Sequence, residues 1–111
     1  MFGNDYANGK MVSITFTNRA IEDLDAIGEY HAHYSPSYAN HLQDSIIAKA
    51  DLLRHQPEMG RKVPEFDLPH LRELIHQSYR IVYKIVSSTQ IDIITIQHSS
   101  RNMAERFFDS E

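Results

Sequence analysis

Hydrophobic and polar positions alternate first between Met11 and Phe16, where Val12, Ile14 and Phe16 are separated by Ser13 and Thr15. That period of two predicts a short, half-buried strand. The period then lengthens. Ile21, Leu24, Ile27 or Gly28, His31 and Tyr34 recur at helical spacing, behind Thr17 or Asn18 as a cap, with Glu22 and Asp23 early in the helix. Ser35-Pro36 resets the chain as an N-cap followed by a proline at the first helical position. Tyr38, Ala39, Leu42, Ile46, Ala50 and Leu53 continue on one face until Pro57 and Gly60 end the helix. Almost no loop separates the two helices, so they form a helical hairpin.

Gly60 to His70, with Pro64 and Pro69, reads as a loop. Three strands follow: LREL from Leu71, YRIVYKIV from Tyr79, and IDIITIQH from Ile91. Gln77-Ser78 is a two-residue turn between the first two, and Ser87 to Gln90 turns the chain again. Ser100 to Phe108 has the pattern of a short amphipathic helix, with Met103 and Phe107 one turn apart. The expected architecture is α+β: an antiparallel sheet of about four strands packed on an N-terminal helical hairpin, in β-α-α-β-β-β order, with a short C-terminal helix. Met1 to Lys10 is polar and patternless and reads as a flexible leader, or the product of an upstream start. Residues 11–111 form one domain.

The simplest turn register sorts the strand residues by face. Leu74, Tyr79, Ile81, Tyr83, Ile85, Ile94 and Ile96 read as the face under the hairpin. Glu73, Ile75, Arg80, Val82, Lys84 and Thr95 share the other, which this register leaves as a charged surface open to solvent or a partner.

Composition narrows the classes. The 111 residues contain no cysteine, which excludes disulfides and thiolate chemistry. A formal net charge of −4 argues against a protein whose main task is gripping nucleic acid. The charge is segregated: Glu22, Asp23, Asp25 and Glu29 come early, while the strand region is basic. No apolar run is long enough to span a bilayer and no signal peptide is visible, so the expected location is the cytoplasm, with no membrane partner. Seven histidines invite a metal reading. His31 and His33 stand two apart on a helix and point in different directions, and His41, His55, His70 and His76 lack ligand-like spacing. No metal site and no cofactor is therefore expected.

Taken in order, "GRKVPE", "LREL", "YRIVY" and a strand ending in "H..R" resemble the RelE/ParE superfamily of toxins from bacterial toxin–antitoxin systems. The resemblance covers roughly Met11 to Arg101. "DLDAIGEYHAHYSPSYANHL" and "PEMGRKVPE" look like the ParE branch. The resemblance implies a toxin held inactive by a cognate, ParD-like antitoxin in a hetero-oligomer. ParE toxins are described as acting on DNA gyrase, whereas RelE-type toxins cleave mRNA in the ribosome.

The two branches make different demands. A RelE-like nuclease needs a base, a cation on the phosphorane and an acid on the leaving oxygen. Glu65, Arg80 and His98 look like that set, with Arg72 as a further phosphate contact. Against it stand the acidic chain, Ser99 after His98, and a register that sends His98 to the face opposite Arg80 unless a bulge intervenes. Each residue also has a plainer role. Arg80 and Lys84 can pair across the sheet with Glu73, and Arg72 with a carboxylate of the hairpin. Glu65 can be a loop carboxylate and His98 a partly buried hydrogen-bonding residue. Tyr30, Tyr34 and Tyr38 read as helix-packing side chains before they read as a partner patch. The expectation is a ParE-like toxin that works by binding, through Arg72, Glu73, Arg80, Lys84, Arg101, Phe107 and Phe108. A ribosome-dependent endoribonuclease using Arg80, His98 and Glu65 is the alternative.

Overall fold

The computed structural model describes residues 11–100. The expected leader (residues 1–10) and C-terminal helix, with Arg101, Phe107 and Phe108, lie outside the described residues. Strand β1 (Ser13–Phe16) leads into helices α1 (Asn18–Ala32) and α2 (Pro36–Asp51), the latter closing in a 3-10 turn, Leu52–Arg54. Strands β2 (Arg61–Lys62), β3 (Leu71–His76), β4 (Tyr79–Ser87) and β5 (Gln90–His98) follow. The caps are those the sequence points to: Thr17 accepts from the Ala20 amide and Ser35 from the Tyr38 amide, with Pro36 at the start of α2. Glu22 and Asp23 fall beyond the first turn of α1, so they do not serve its N-terminus.

The sheet runs β1-β5-β4-β3-β2. It has one strand more than expected, because two residues of the loop after α2 add themselves to the edge of β3. Strand β1 joins β5 in parallel, so the sheet is mixed rather than wholly antiparallel. The hairpin covers one face. Ala20, Ile27, Leu42, Ile46, Ala50 and Leu53 pack on Leu74, Ile81, Tyr83, Ile91, Ile93 and Ile96. Each of the large aliphatic side chains contributes about 1.5–3 kcal/mol by leaving water. Tyr79 and Ile85 border this core. On the helices, Ile21 and the three tyrosines expected to pack are instead exposed.

Two bulges correct the simple register. Strand β4 pairs with β5 as Ser87↔Gln90, then slips so that Ile85 faces Ile91 and Tyr83 faces Ile93. It slips back at Val82↔Thr95, leaving Val86 and Ile94 as the extra residues. The unbulged register would set Asp92 beside Ile85 over the core. The first bulge turns Asp92 outward and Ile91 and Ile93 inward, and the second restores the frame for Ile96. Ile94 therefore leaves the hairpin face, contrary to expectation, and packs on the other side near Val63 and Val82.

That second face is not the open charged surface expected. Val82 and Thr95 are fully buried, and Glu73 and Arg80 are only 1% and 5% exposed. The chain between β2 and β3 folds over them, anchored by buried Val63 and by Phe66. Lys84 and Ile75 alone of that predicted set stay exposed.

Candidate functional site

The most concentrated chemistry lies beneath this covering segment. Val63 donates to Leu71 O, while the Phe66 and Asp67 amides both turn back to Val63 O. Asp67 takes a left-handed backbone (φ 52°), which closes the turn and holds Glu65 over the sheet. There Arg80 meets Glu65 through Nη1 (2.8 Å) and Nη2 (2.7 Å), a fork-on-carboxylate geometry. Its Nε donates to Glu73 at 2.6 Å, and the other oxygen of Glu73 accepts from Arg61 at 2.6 Å. Two guanidinium groups and two carboxylates thus cancel in charge. The hydrogen bonds to Glu65 push the Arg80 pKa up, against burial, which pulls it down.

Arg72 is committed differently from either expectation. It donates to the carbonyls of Pro69 (3.1 Å) and Gly60 (2.8 Å), and so ties down both ends of the covering segment. Tyr83 adds a third tie: its hydroxyl donates to Pro57 O and accepts from the Gly60 amide. Burial raises the Tyr83 pKa.

His98 pairs with Tyr79 at the far end of the sheet, while Arg80 pairs with Gln97. Neighbours in a strand point to opposite faces, so His98 lies on the hairpin side and Arg80 on the other. The His98 ring packs edge-on to Tyr79 (centroids 5.8 Å apart) and its Nδ1 meets the Ser100 hydroxyl. The three residues of the nuclease set are not brought together: Glu65 and Arg80 are bonded to each other, and His98 faces away.

Beside the ion-pair cluster lies an apolar slot of about 330 Å³ lined by Phe66, Leu68, Leu71, Lys84 and Ile94. A second hollow, of about 360 Å³, continues past Pro69 and His70 and shares Leu68, Leu71 and Lys84. Leu68 is half exposed at its rim.

With this geometry in view, the comparisons with known proteins are specific. Residues 14–103 match the family described as the ParE toxin of type II toxin–antitoxin system, parDE. The chain belongs to the ParE toxin family. A relative from Caulobacter vibrioides named Toxin RelE2 is 31% identical over 91 residues, covering 82% of this chain and 99% of the relative. A solved structure titled as the chromosomal ParDE TA system from P. aeruginosa shares the fold. Its TM-score is 0.67 at 23% identity, over 79% of this chain and 96% of that one.

Sequence reasoning missed two features of this toxin. Asp23 was legible only as a helix acid, yet it closes the free edge of β5 where β1 has ended. It accepts from the Thr95 hydroxyl, the Ile96 amide (3.1 Å) and the Gln97 side chain (3.4 Å). No local pattern signals a contact across so many residues. The second is a continuous ring cluster at the hairpin tip. His31 touches Tyr30, Tyr38 and Tyr79 edge-on at 5.0, 5.4 and 6.2 Å, and Tyr30 touches Tyr34 at 5.7 Å. His31 Nε2 and the Tyr79 hydroxyl share a 2.9 Å hydrogen bond. Burial, then the nearby Tyr38 and Tyr30, raise the Tyr79 pKa. The aromatic spacing was visible in the sequence, but its exposure was not. Among the described residues no group of side chains could hold a metal ion, and no helix is long and apolar enough to cross a membrane.

Proposed function

We propose that this toxin arrests growth by binding a protein target, DNA gyrase, and carries out no bond-making chemistry of its own. The observation that carries the reading is the state of Arg80. A guanidinium that must stabilise a phosphorane has to present free donors to it. Arg80 instead commits its Nε, Nη1 and Nη2 to two carboxylates beneath the covering segment, and an incoming phosphate would have to displace Glu65 against like charge.

The cognate antitoxin is the second partner in this proposal. The slot between the covering segment and β4 suits an amphipathic or extended segment, with Leu68, Leu71 and Ile94 receiving apolar side chains and Lys84 an acidic one. Glu73 and Arg80, turned to each other below the surface, support that site by holding the segment in place rather than by contact.

Induction of the toxin without its antitoxin tests the reading. The expected result is growth arrest with a DNA-damage response while translation continues. Immediate loss of translation with codon-positioned mRNA cuts would instead favour the ribosome-dependent endoribonuclease, the activity that the name RelE would suggest.

A further inference from the structure

We propose that the tyrosine-lined tip of the helical hairpin is the surface that grips the toxin's target, through a segment of that target bearing arginine or lysine. The inference rests on the reading of the chain as a protein-binding toxin and says where the target docks.

Three observations converge there. The first is exposure without softness. Tyr30 and Tyr34 are 62% and 73% exposed and Tyr38 is 42% exposed, three large rings gathered at one end of the hairpin. Two of them are nevertheless held: Tyr30 and Tyr38 both pack edge-on to His31, which is bonded to Tyr79, and Tyr34 leans on Tyr30. The Tyr38 hydroxyl reaches Gln77 in the β3–β4 turn at 3.2 Å. Rigid tyrosines lose little entropy on binding and dominate protein interfaces.

The second is charge. No lysine or arginine occurs between Arg19 and Lys49, while Glu22, Asp25, Glu29 and Asp44 are exposed along the same helices. Glu29, on a neighbouring face of α1, is the nearest of these acids to the tip. Aromatic rings at the tip of an acidic hairpin favour a cation: the ring quadrupole and the hairpin's negative charge both attract arginine and lysine. An acidic segment would meet repulsion here.

The third is position. The tip lies on the hairpin side of the sheet, at the Tyr79 end of β4. The apolar slot lies on the opposite side, at Lys84, five residues along the same strand. A toxin must be restrained by one protein and engage another, and the fold offers two separated surfaces of different chemistry for the two.

The test uses the full-length toxin with the double substitution Tyr30→Ala/Tyr34→Ala. At matched expression without antitoxin, the variant is expected to lose growth arrest. Its purified form should bind the cognate antitoxin as the wild type does, which also reports that it is folded. Its dissociation constant for gyrase should rise about tenfold or more. Glu29→Lys should weaken gyrase binding as well, and Glu29→Gln less so. A double variant that still arrests growth overturns the proposal, as does one that loses the antitoxin but remains toxic. If Glu29→Lys binds gyrase as tightly as wild type, the cationic partner is refuted. If wild-type toxin binds no gyrase, yet the double variant has lost toxicity with antitoxin binding intact, the surface stands and gyrase is the wrong target.

Discussion

Arg80 is the residue on which the two functional readings turn, and its burial changes how it can be tested. Removing it leaves Glu73, whose side chain is fully buried, with Arg61 as a remaining cation, and takes from Glu65 the guanidinium it is paired with. Breaking a buried ion pair by removing one partner costs about 3–5 kcal/mol. Arg80→Ala is therefore expected to lower unfolding free energy by about that amount, measured by urea denaturation; a loss under about 1 kcal/mol, the range of an exposed pair, would show that the cluster is not a structural unit. A loss of toxicity in this variant reports lost folding before it reports lost chemistry. His76 offers a second test at the same scale. Its Nε2 meets the Ser45 hydroxyl at 2.9 Å, tying β3 to α2, and burial, then Lys49, lower its pKa below the ordinary 6.5. A histidine held neutral in the fold binds more protons when unfolded, so its contribution is fully present above pH 6.5 and fades as pH falls through the depressed value. The toxin is expected to lose stability between pH 7.5 and 5.5 more steeply than His76→Gln does, read from denaturation midpoints. Equal slopes would remove His76 from the account.

At the level of elements, the segment from Pro57 to His70 decides what the sheet's second face becomes. Gly60 is central to it. A Cβ there would collide with the backbone carbonyl of Glu73 and with the Tyr83 ring, and backbone cannot step aside as a flexible side chain can. Gly60→Ala is expected to push β2 off β3 and loosen the Arg61–Glu73 pair. It should destabilise by about 1–3 kcal/mol, the range for overpacking, and speed amide exchange in residues 61–66 ahead of the helices. Unchanged exchange there would contradict the anchoring role. The strand errors made from sequence have an equally local cause. In IDIITI, Ile91 and Ile93 keep one parity, and Ile94 and Ile96 split it. One apolar residue out of step marks a bulge when both faces of the strand are buried, but only knowledge of the second cover makes that visible. Ser35-Pro36, the Thr17 cap and the Gln77-Ser78 turn were legible because their chemistry is complete within a few residues. The covering segment was not, because Val63, Glu65 and Phe66 acquire their roles from strands far along the chain.

For the whole molecule, the fold class and family follow from the order of elements, which short motifs carry well. The working surface does not. Sequence put Glu73 and Arg80 on an open charged surface, and they lie buried beneath the covering segment. Packing put Tyr30, Tyr34 and Tyr38 at the tip, where spacing alone suggested core. Charge follows the same division, with acids and aromatics on the hairpin and the paired arginines under the opposite face. On the function proposed, the two faces serve two partners, and no acid, base and cation need meet at one point. The most direct measurement is a supercoiling reaction with purified gyrase and full-length toxin, with and without the cognate antitoxin. The expected result is loss of supercoiling with accumulation of cleaved DNA, reversed by stoichiometric antitoxin. Full gyrase activity at saturating toxin, from a preparation that still arrests growth, would contradict it.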